Sequence, residues 1–258
     1  PPFARPFCEV EVRLGILQVP FSSPSRRVSS SGAKHFNGKL VQAFLAPSSQ
    51  SQQQQGPIMR SGVSRQHFVG WTGGGVSEAS GLTLALGHKQ QADGSKEARA
   101  IRQEIKETTL VETVYAGYPQ ERRCTYPGLH TPSTKDSNGS MEYKEKLATM
   151  DLILPAAKYD MRIALSSEKV VDRNVGPQPP SHYKMCRVKR RKSYSRIDNT
   201  IWWQVDVTQV TTTYKDHPST VDYEIEMEII PSVWLALLNE TDDQKVANRI
   251  KSLSAQLW

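Results

Sequence analysis

The sequence predicts a mainly β fold (α+β), an antiparallel barrel or sandwich with a few peripheral helices. Three observations carry that expectation. Many segments alternate apolar and polar residues with the two-residue period of a strand. They follow one another at hairpin spacing, with polar or Asn-Gly-bearing links. No repeat period emerges, and strands do not alternate regularly with helices as a parallel α/β sheet requires. One domain over residues 1–258 accommodates the whole pattern.

Along the chain, Cys8 to Gly15 (CEVEVRLG) sets Val10, Val12 and Leu14 on one face and Glu9, Glu11 and Arg13 on the other. Residues 20–34, rich in Ser, Arg and Pro, read as a loop. Asn37-Gly38 then separates His35-Phe36 from Leu40 to Leu45, a hairpin signal. The low-complexity stretch 46–57 (APSSQSQQQQGP) is expected to be a disordered loop. Ser64 is placed to cap a short helix over Arg65 to Trp71, ended by the glycines at 73–75. Strands are expected at 82–87 and 108–116, then around Glu121–Tyr126 and Met141–Leu154, the last two joined by a polar loop with Asn138-Gly139. From Tyr159 to Ile230 the strand signal is nearly continuous: YDMRIALSSE, YKMCRVKRRKSYS, IWWQVDVTQVTTT and VDYEIEMEI. Thr241 and Gln244 resemble a capping box ahead of a C-terminal helix over 241–258, apolar at Val246, Ile250, Leu253 and Leu257. That helix is expected to plug against the barrel.

The 258 residues are 37% hydrophobic and carry a net charge of +7. Mean hydropathy is −0.53 and the pI is about 9.3, a balance that suits polyanionic partners. No window approaches the roughly 18 apolar residues of a membrane span, so no membrane partner is expected. Pro1 to Pro6 leads almost directly into a strand-like segment, with no signal-peptide pattern. So abrupt a start suggests that a preceding region, such as a targeting tail, is missing. Cys8, Cys124 and Cys186 are scattered and form no C-x-x-C pair. They indicate neither a disulfide framework nor a zinc site, and a reducing compartment is expected.

Three segments segregate charge in an unusual way. Glu224, Glu226 and Glu228 share one strand face opposite Ile225, Met227 and Ile229. Glu9 and Glu11 share a face near the start of the chain, and Arg187, Lys189 and Arg191 share one between the acidic pair. Like charges two residues apart repel, so stacking them costs stability unless solvent screens them or a counterion binds. A sheet with one wet face would explain any single segment. A wet face usually mixes its signs, however, and here the signs separate strand by strand. With these faces turned into a barrel, the first and last strands can form a floor of five carboxylates. Hard oxygen donors of that kind suit Mg²⁺ or Mn²⁺. The basic strand would then grip phosphate oxygens, and phosphoryl transfer asks for little else.

Other catalytic signatures are missing. The chain has no G-x-x-x-x-G-K-[ST] loop, no H-E-x-x-H and no C-x5-R. The pattern therefore favours metal and carboxylates over covalent catalysis.

EVEVRLG and YEIEMEI resemble the paired acidic motifs of the fungal and protozoan RNA triphosphatases, members of the triphosphate tunnel metalloenzymes. KYDMRIALSSE, PPSHYK, RVKRRKSY and WQVDVTQV follow in the same order. The resemblance covers about residues 142–230 and 8–15. It implies an eight-stranded antiparallel β-barrel forming a hydrophilic tunnel. It also implies removal of the γ-phosphate from 5′-triphosphate RNA, the first step of cap formation, and hydrolysis of nucleoside triphosphates with manganese.

Carried over residue by residue, the resemblance implies that Glu9, Glu11 and Glu228 coordinate the metal. Glu226 and Glu224 would complete the floor through metal-bound water and neighbouring basic groups. Glu168 matches the glutamate that orients the attacking water, opposite the floor. Lys189 and Arg191 match phosphate ligands, Arg187 a supporting arginine, and Lys144 another wall lysine. Arg162 stands where the family often has lysine. Arg123 is chosen for the γ-phosphate arginine over its neighbour Arg122. Asp206 and Thr208 match a strand whose aspartate orients basic neighbours. Gln204 departs from a common arginine, and Arg190 from a frequent acidic residue on the outward face. Trp202 and Trp203 are open to base stacking, or to one core and one surface position.

Two alternatives stand beside this reading. Tripolyphosphatases and thiamine triphosphatases share the first acidic motif as ExExK, where this chain has Arg13 and adds the ExExE strand. A non-catalytic RNA-binding barrel is the other, disfavoured because inward glutamates repel a phosphate backbone. Expected partners are 5′-triphosphate RNA, nucleoside triphosphates and a guanylyltransferase. A monomer is expected, since no dimer motif stands out. A nuclear location follows from the inferred task alone, because RVKRRK is assigned to the tunnel.

Overall fold

The computed structural model describes residues 7–18, 34–36, 39–47, 58–72, 105–117, 122–129, 138–154, 157–178, 183–196, 202–215 and 217–256. Among them run strands β1 (Phe7–Gln18), β2 (Lys34–Phe36), β3 (Lys39–Pro47), β4 (Ile58–Ser61), β5 (Ile105–Ala116) and β6 (Arg122–Pro127). β7 (Gly139–Ile153), β8 (Asp160–Val175), β9 (Met185–Arg196), β10 (Trp203–Tyr214) and β11 (Thr220–Ile229) follow. The helices are α1 (Arg65–Thr72), α2 (Pro231–Leu238) and α3 (Asp243–Gln256).

Eight strands close a ring in the order β1-β8-β7-β6-β5-β9-β10-β11, and β11 returns to β1. Every neighbouring pair is antiparallel. Closure leaves no open edge in the ring. β1 and β7 are long enough to serve two partners on one edge. β1 pairs β11 around Glu11 and then β4 from Gly15 onward. β7 pairs β6 near its start and β3 near its end.

The barrel is inverted relative to a packed one: its apolar core lies on the outside of the wall. Val12, Tyr194, Trp203, Val205, Val207, Ile225 and Ile229 are buried there, beneath Val63, Phe68 of α1, and Val233, Trp234 and Leu237 of α2. Burying each large side chain contributes about 1.5–3 kcal/mol, so the helices stabilise the wall from behind while its inner face stays polar. Trp203 is buried and Trp202 half-buried in this outer core, so both tryptophans turn away from the tunnel.

Gly15 sits where β1 changes partner. A Cβ there would stand 2.5 Å from the Arg60 carbonyl oxygen and 3.1 Å from Ser61 Cα. Backbone at that distance cannot yield cheaply. Gly15→Ala is therefore expected to lever β4 from β1 and cost about 1–3 kcal/mol, read as a lower thermal midpoint. An unchanged midpoint would mean that the β1–β4 pairing contributes nothing.

Ser64 caps α1 as expected, its Oγ accepting from the His67 amide at 3.3 Å. Other elements differ from the sequence reading. Ala46 and Pro47 belong to β3, while 48–57, the strand expected at 82–87 and the glycines at 73–75 lie outside the described residues. β8 does not end at Glu168 but continues to Val175, because β7 pairs with it as far as Gly139. α3 is capped by Asp242, not Thr241: its carboxylate accepts from the amides of Gln244 (2.9 Å) and Lys245 (3.1 Å). α2 was not anticipated, and it does the packing expected of the terminal helix. From α3, Val246 packs against the core while Ile250 is half exposed.

Candidate active site

The two-residue period turns one face of every ring strand inward, and register decides which charges meet. β1 pairs β11 with Glu11 opposite Glu228 and Arg13 opposite Glu226. β10 adds Gln204 opposite Glu228, Asp206 opposite Glu226 and Thr208 opposite Glu224. The acidic strands expected to lie together therefore do so. On β9, Arg191 faces Thr208 across β10, and Lys189 faces Glu112 across β5. β6 and β7 bring Arg123 directly opposite Glu142, and β7 and β8 bring Lys144 opposite Glu168.

These faces enclose a cavity of about 250 Å³. Glu9, Glu11, Glu226, Glu228, Asp206, Glu168, Arg123, Lys144, Lys189 and Arg191 line it, with Arg13, Glu112, Glu142, Val114 and Thr125. Arg123 is the tunnel arginine, whereas Arg122 falls opposite Tyr143 on the alternate face. Three expected residues do not line this cavity. Arg162 is held by Asp151, its Nε donating to Oδ1 at 2.6 Å and Nη2 to Oδ2 at 2.8 Å. Arg187 Nη2 donates to Glu224 Oε1 at 2.7 Å. Arg162–Asp151 ties the adjacent β8 and β7, while Arg187–Glu224 spans β10 on the inward face, so these residues are engaged with each other beyond the cavity lining. Glu168 also departs from expectation: β8 adjoins β1, which sets it beside the acidic floor instead of opposite.

The inward charges form a connected chain. Arg123 Nε donates to Glu142 Oε2 at 3.0 Å and Nη2 to Glu168 Oε1 at 2.8 Å. Lys144 Nζ lies 3.1 Å from the same Glu168 oxygen and also pairs with Glu9 and Glu11. Arg13 pairs with Glu11, and its Nε lies 2.9 Å from Glu226 Oε1 without hydrogen-bond alignment. Glu112 Oε1 stands 3.5 Å from Lys189 Nζ and 3.7 Å from Arg191 Nη2. Asp206 is almost fully buried, held by the Gln204 amide at 2.9 Å and near Arg191 Nη1 at 3.4 Å. The Gln204 amide thus meets the aspartate where the family often has arginine.

Burial and charge tune the groups unequally. Burial pushes Glu11 up, but Arg13 and Lys144 outweigh it and hold the carboxyl below its ordinary range. Glu9 is pushed up to about 7 by burial, with Lys144 opposing and Glu168 reinforcing. Glu228 is pushed up to about 8 by burial and by the carboxylates of Glu9 and Asp206. Burial likewise pulls the Lys189 ammonium down, against the attraction of Glu112.

The sequence profile of the mRNA capping enzyme β chain matches residues 87–257, well over half of the chain. The chain belongs to that family. Among curated proteins, no sequence matches. Among solved structures, the RNA triphosphatase Pct1 of S. pombe is similar in fold. In its complex with the Spt5 CTD it aligns with a TM-score of 0.61 at 16% identity, covering 97% of this chain and 82% of that one. Pct1 by itself aligns with a TM-score of 0.60 at 16% identity, covering 99% and 84%.

In this member of the capping β-chain family, the floor suits a divalent cation. Among the described residues no three His, Cys, Asp or Glu side chains converge as a finished ligand set, and Lys144 lies among the carboxylates of Glu9 and Glu11. The donor chemistry nevertheless fits: hard carboxylate oxygens face one another, and burial with neighbouring carboxylates raises Glu9 and Glu228, a shift that a bound cation would counter. The phosphate side has matching features. Arg191 Nε and Thr208 Oγ1 are buried without a partner among the described residues, a cost that an anion or water in the tunnel would offset. Sequence reasoning did not assign Arg13, Glu112 and Glu142 to the site. Their inward phase on β1, β5 and β7 was the available signal, but each is a single charge within a mixed pattern.

Proposed function

We propose that this chain is an RNA 5′-triphosphatase that hydrolyses the γ-phosphate of 5′-triphosphate RNA and leaves a diphosphate end. The observation that carries the reading is one closed tunnel in which an acidic floor from β1 and β11 meets cations from β6, β7 and β9. Family membership supports the same conclusion.

Arg123, Lys189 and Arg191 bind and orient the terminal phosphates, offsetting charge that builds on their oxygens. Arg187 keeps β9 aligned through Glu224, and Arg162 does the same for β8 through Asp151. Glu168 accepts a hydrogen bond from the attacking water and orients it, while Lys144 and Arg123 hold the carboxylate in place. Asp206 fixes Arg191. Glu9, Glu11 and Glu228 would hold a divalent cation, Mg²⁺ or Mn²⁺, with Glu226 and Glu224 supporting that floor. Such an ion offsets phosphate charge when bound. Nucleoside triphosphates present the same anionic end and are expected to react with manganese. The diphosphate product suits a guanylyltransferase, which makes the nucleus the expected location. A monomer suffices, because one chain closes the whole tunnel.

Release of phosphate from γ-labelled triphosphate RNA, measured in EDTA, magnesium and manganese, tests the reading. Divalent-dependent release is expected, with RNA outcompeting inorganic tripolyphosphate. Preference for tripolyphosphate would move the assignment to a short-polyphosphate hydrolase. RNA binding without release under any ion would make the chain a binding barrel.

A further inference from the structure

We propose that Glu142 is a positioning residue for Arg123, and that it decides how the guanidinium divides between Glu168 and the substrate phosphate. The inference rests on the triphosphatase reading, in which Arg123 meets phosphate and Glu168 meets water.

Arg123 is forked between two carboxylates from different strands. Glu142 on β7, its direct register partner, takes Nε at 3.0 Å, and Glu168 on β8 takes Nη2 at 2.8 Å. All three side chains are about a quarter exposed, so water competes only in part. The two acids are not equivalent. Glu168 Oε1 also lies 3.1 Å from Lys144, which ties it to Glu9 and the floor. Glu142 points its other oxygen at the Ser140 hydroxyl, 3.4 Å away, on its own strand. Glu168 therefore belongs to the reacting centre, and Glu142 to the wall.

A guanidinium is a planar fork with five N–H donors. Unrestrained, it would close on Glu168 as a bidentate pair, the strongest geometry open to it. That closure would spend both Glu168 oxygens and turn the fork from the cavity. Glu142 prevents it by fixing Nε from the side. Arg123 then engages Glu168 only through Oε1, which leaves the rest of that carboxylate on the floor side beside Glu9, and the Nη1 edge is left for phosphate. Glu142 acts wholly through Arg123, without touching substrate.

The test is a double-mutant cycle with Glu142→Gln and Arg123→Lys, read as kcat and KM for phosphate release from triphosphate RNA. A lysine has no Nε–Nη fork to orient. Glu142→Gln is expected to lower kcat about 10–100-fold, the scale of lost outer-shell support, with KM little changed. In the Arg123→Lys background the same change is expected to cost less than about threefold, since coupled residues are non-additive. Glu142→Asp is expected to recover part of the loss, and thermal midpoints should stay near wild type. If Arg123→Lys falls below detection in turnover, single-turnover release at excess enzyme carries the same cycle. Wild-type kcat in Glu142→Gln, or an equal loss in both backgrounds, would overturn the role and leave the triphosphatase reading standing. No release by the wild-type chain would overturn both.

Discussion

Glu228→Gln is expected to lower divalent-dependent phosphate release by about 10²–10³-fold, the scale seen when one preorganised electrostatic contact is lost. Glu228 lies opposite Glu11 in register, and burial together with Glu9 and Asp206 pushes it up to about 8. Without a cation that shift leaves the carboxyl largely protonated near neutral pH, and a bound cation would favour its ionised form. Removing the charge should therefore leave the barrel folded, with a thermal midpoint in EDTA no lower than wild type. Retention of full activity would show that Glu228 does not hold the ion. Glu11→Ala would be the poorer test, because Glu11 also pairs with Arg13 and Lys144. Breaking a buried charge network costs about 3–5 kcal/mol and would confuse folding with chemistry.

The second large effect is expected at Lys189. Lys189→Met keeps the length of the side chain and removes its charge, and should lower kcat/KM by about 10²–10³-fold. Burial already pulls this ammonium down, with Arg191 and Arg187 adding repulsion. An incoming phosphate would favour the charged ammonium and oppose that burial cost. The contrast is Lys192 on the same strand, half exposed and paired with Glu107 at 3.1 Å. Lys192→Met should leave the rate unchanged. Equal losses at both positions would point to general attraction of RNA rather than a tunnel contact. The salt dependence of KM separates the two, since only the general effect falls steeply with ionic strength.

What the residues disclose beforehand depends on whether local pattern or distant register makes the structure. The acidic face of β11 and the basic face of β9 are legible because the strand period puts like charges together, a costly arrangement that asks for a reason. Burial then settles the ambiguity: Ile225 and Ile229 pack outside, leaving Glu224 and Glu226 inward. α2 is hidden because PSVWLALL is only eight residues and apolar at nearly every position after Ser232, too short and too uniform to display a helical period. The roles of Arg13, Glu112 and Glu142 follow from pairing across strands. Glu142 reads as one charge among several in MEYKEK until β6 sets Arg123 opposite it. For Arg162, Arg187 and Glu224 the alternation is legible, but not their partners: Asp151 holds Arg162, and Glu224 meets Arg187 across β10.

The closing strand also has a consequence for synthesis. β1 emerges from the ribosome ahead of the other ring strands, yet its ring partners are β8 and β11, with Glu11 opposite Ala164 and Glu228. At about 5–20 residues per second, it waits on the order of 10–40 s for the last of them. During that time the edge that will meet β11 around Glu11 is unpaired, the kind of segment that recruits other nascent chains. Glu9, Glu11 and Arg13 give it a charged flank, and charge on an unpaired strand discourages such pairing. The glutamates proposed to hold an ion in the finished enzyme would thus act earlier as a guard against co-translational aggregation.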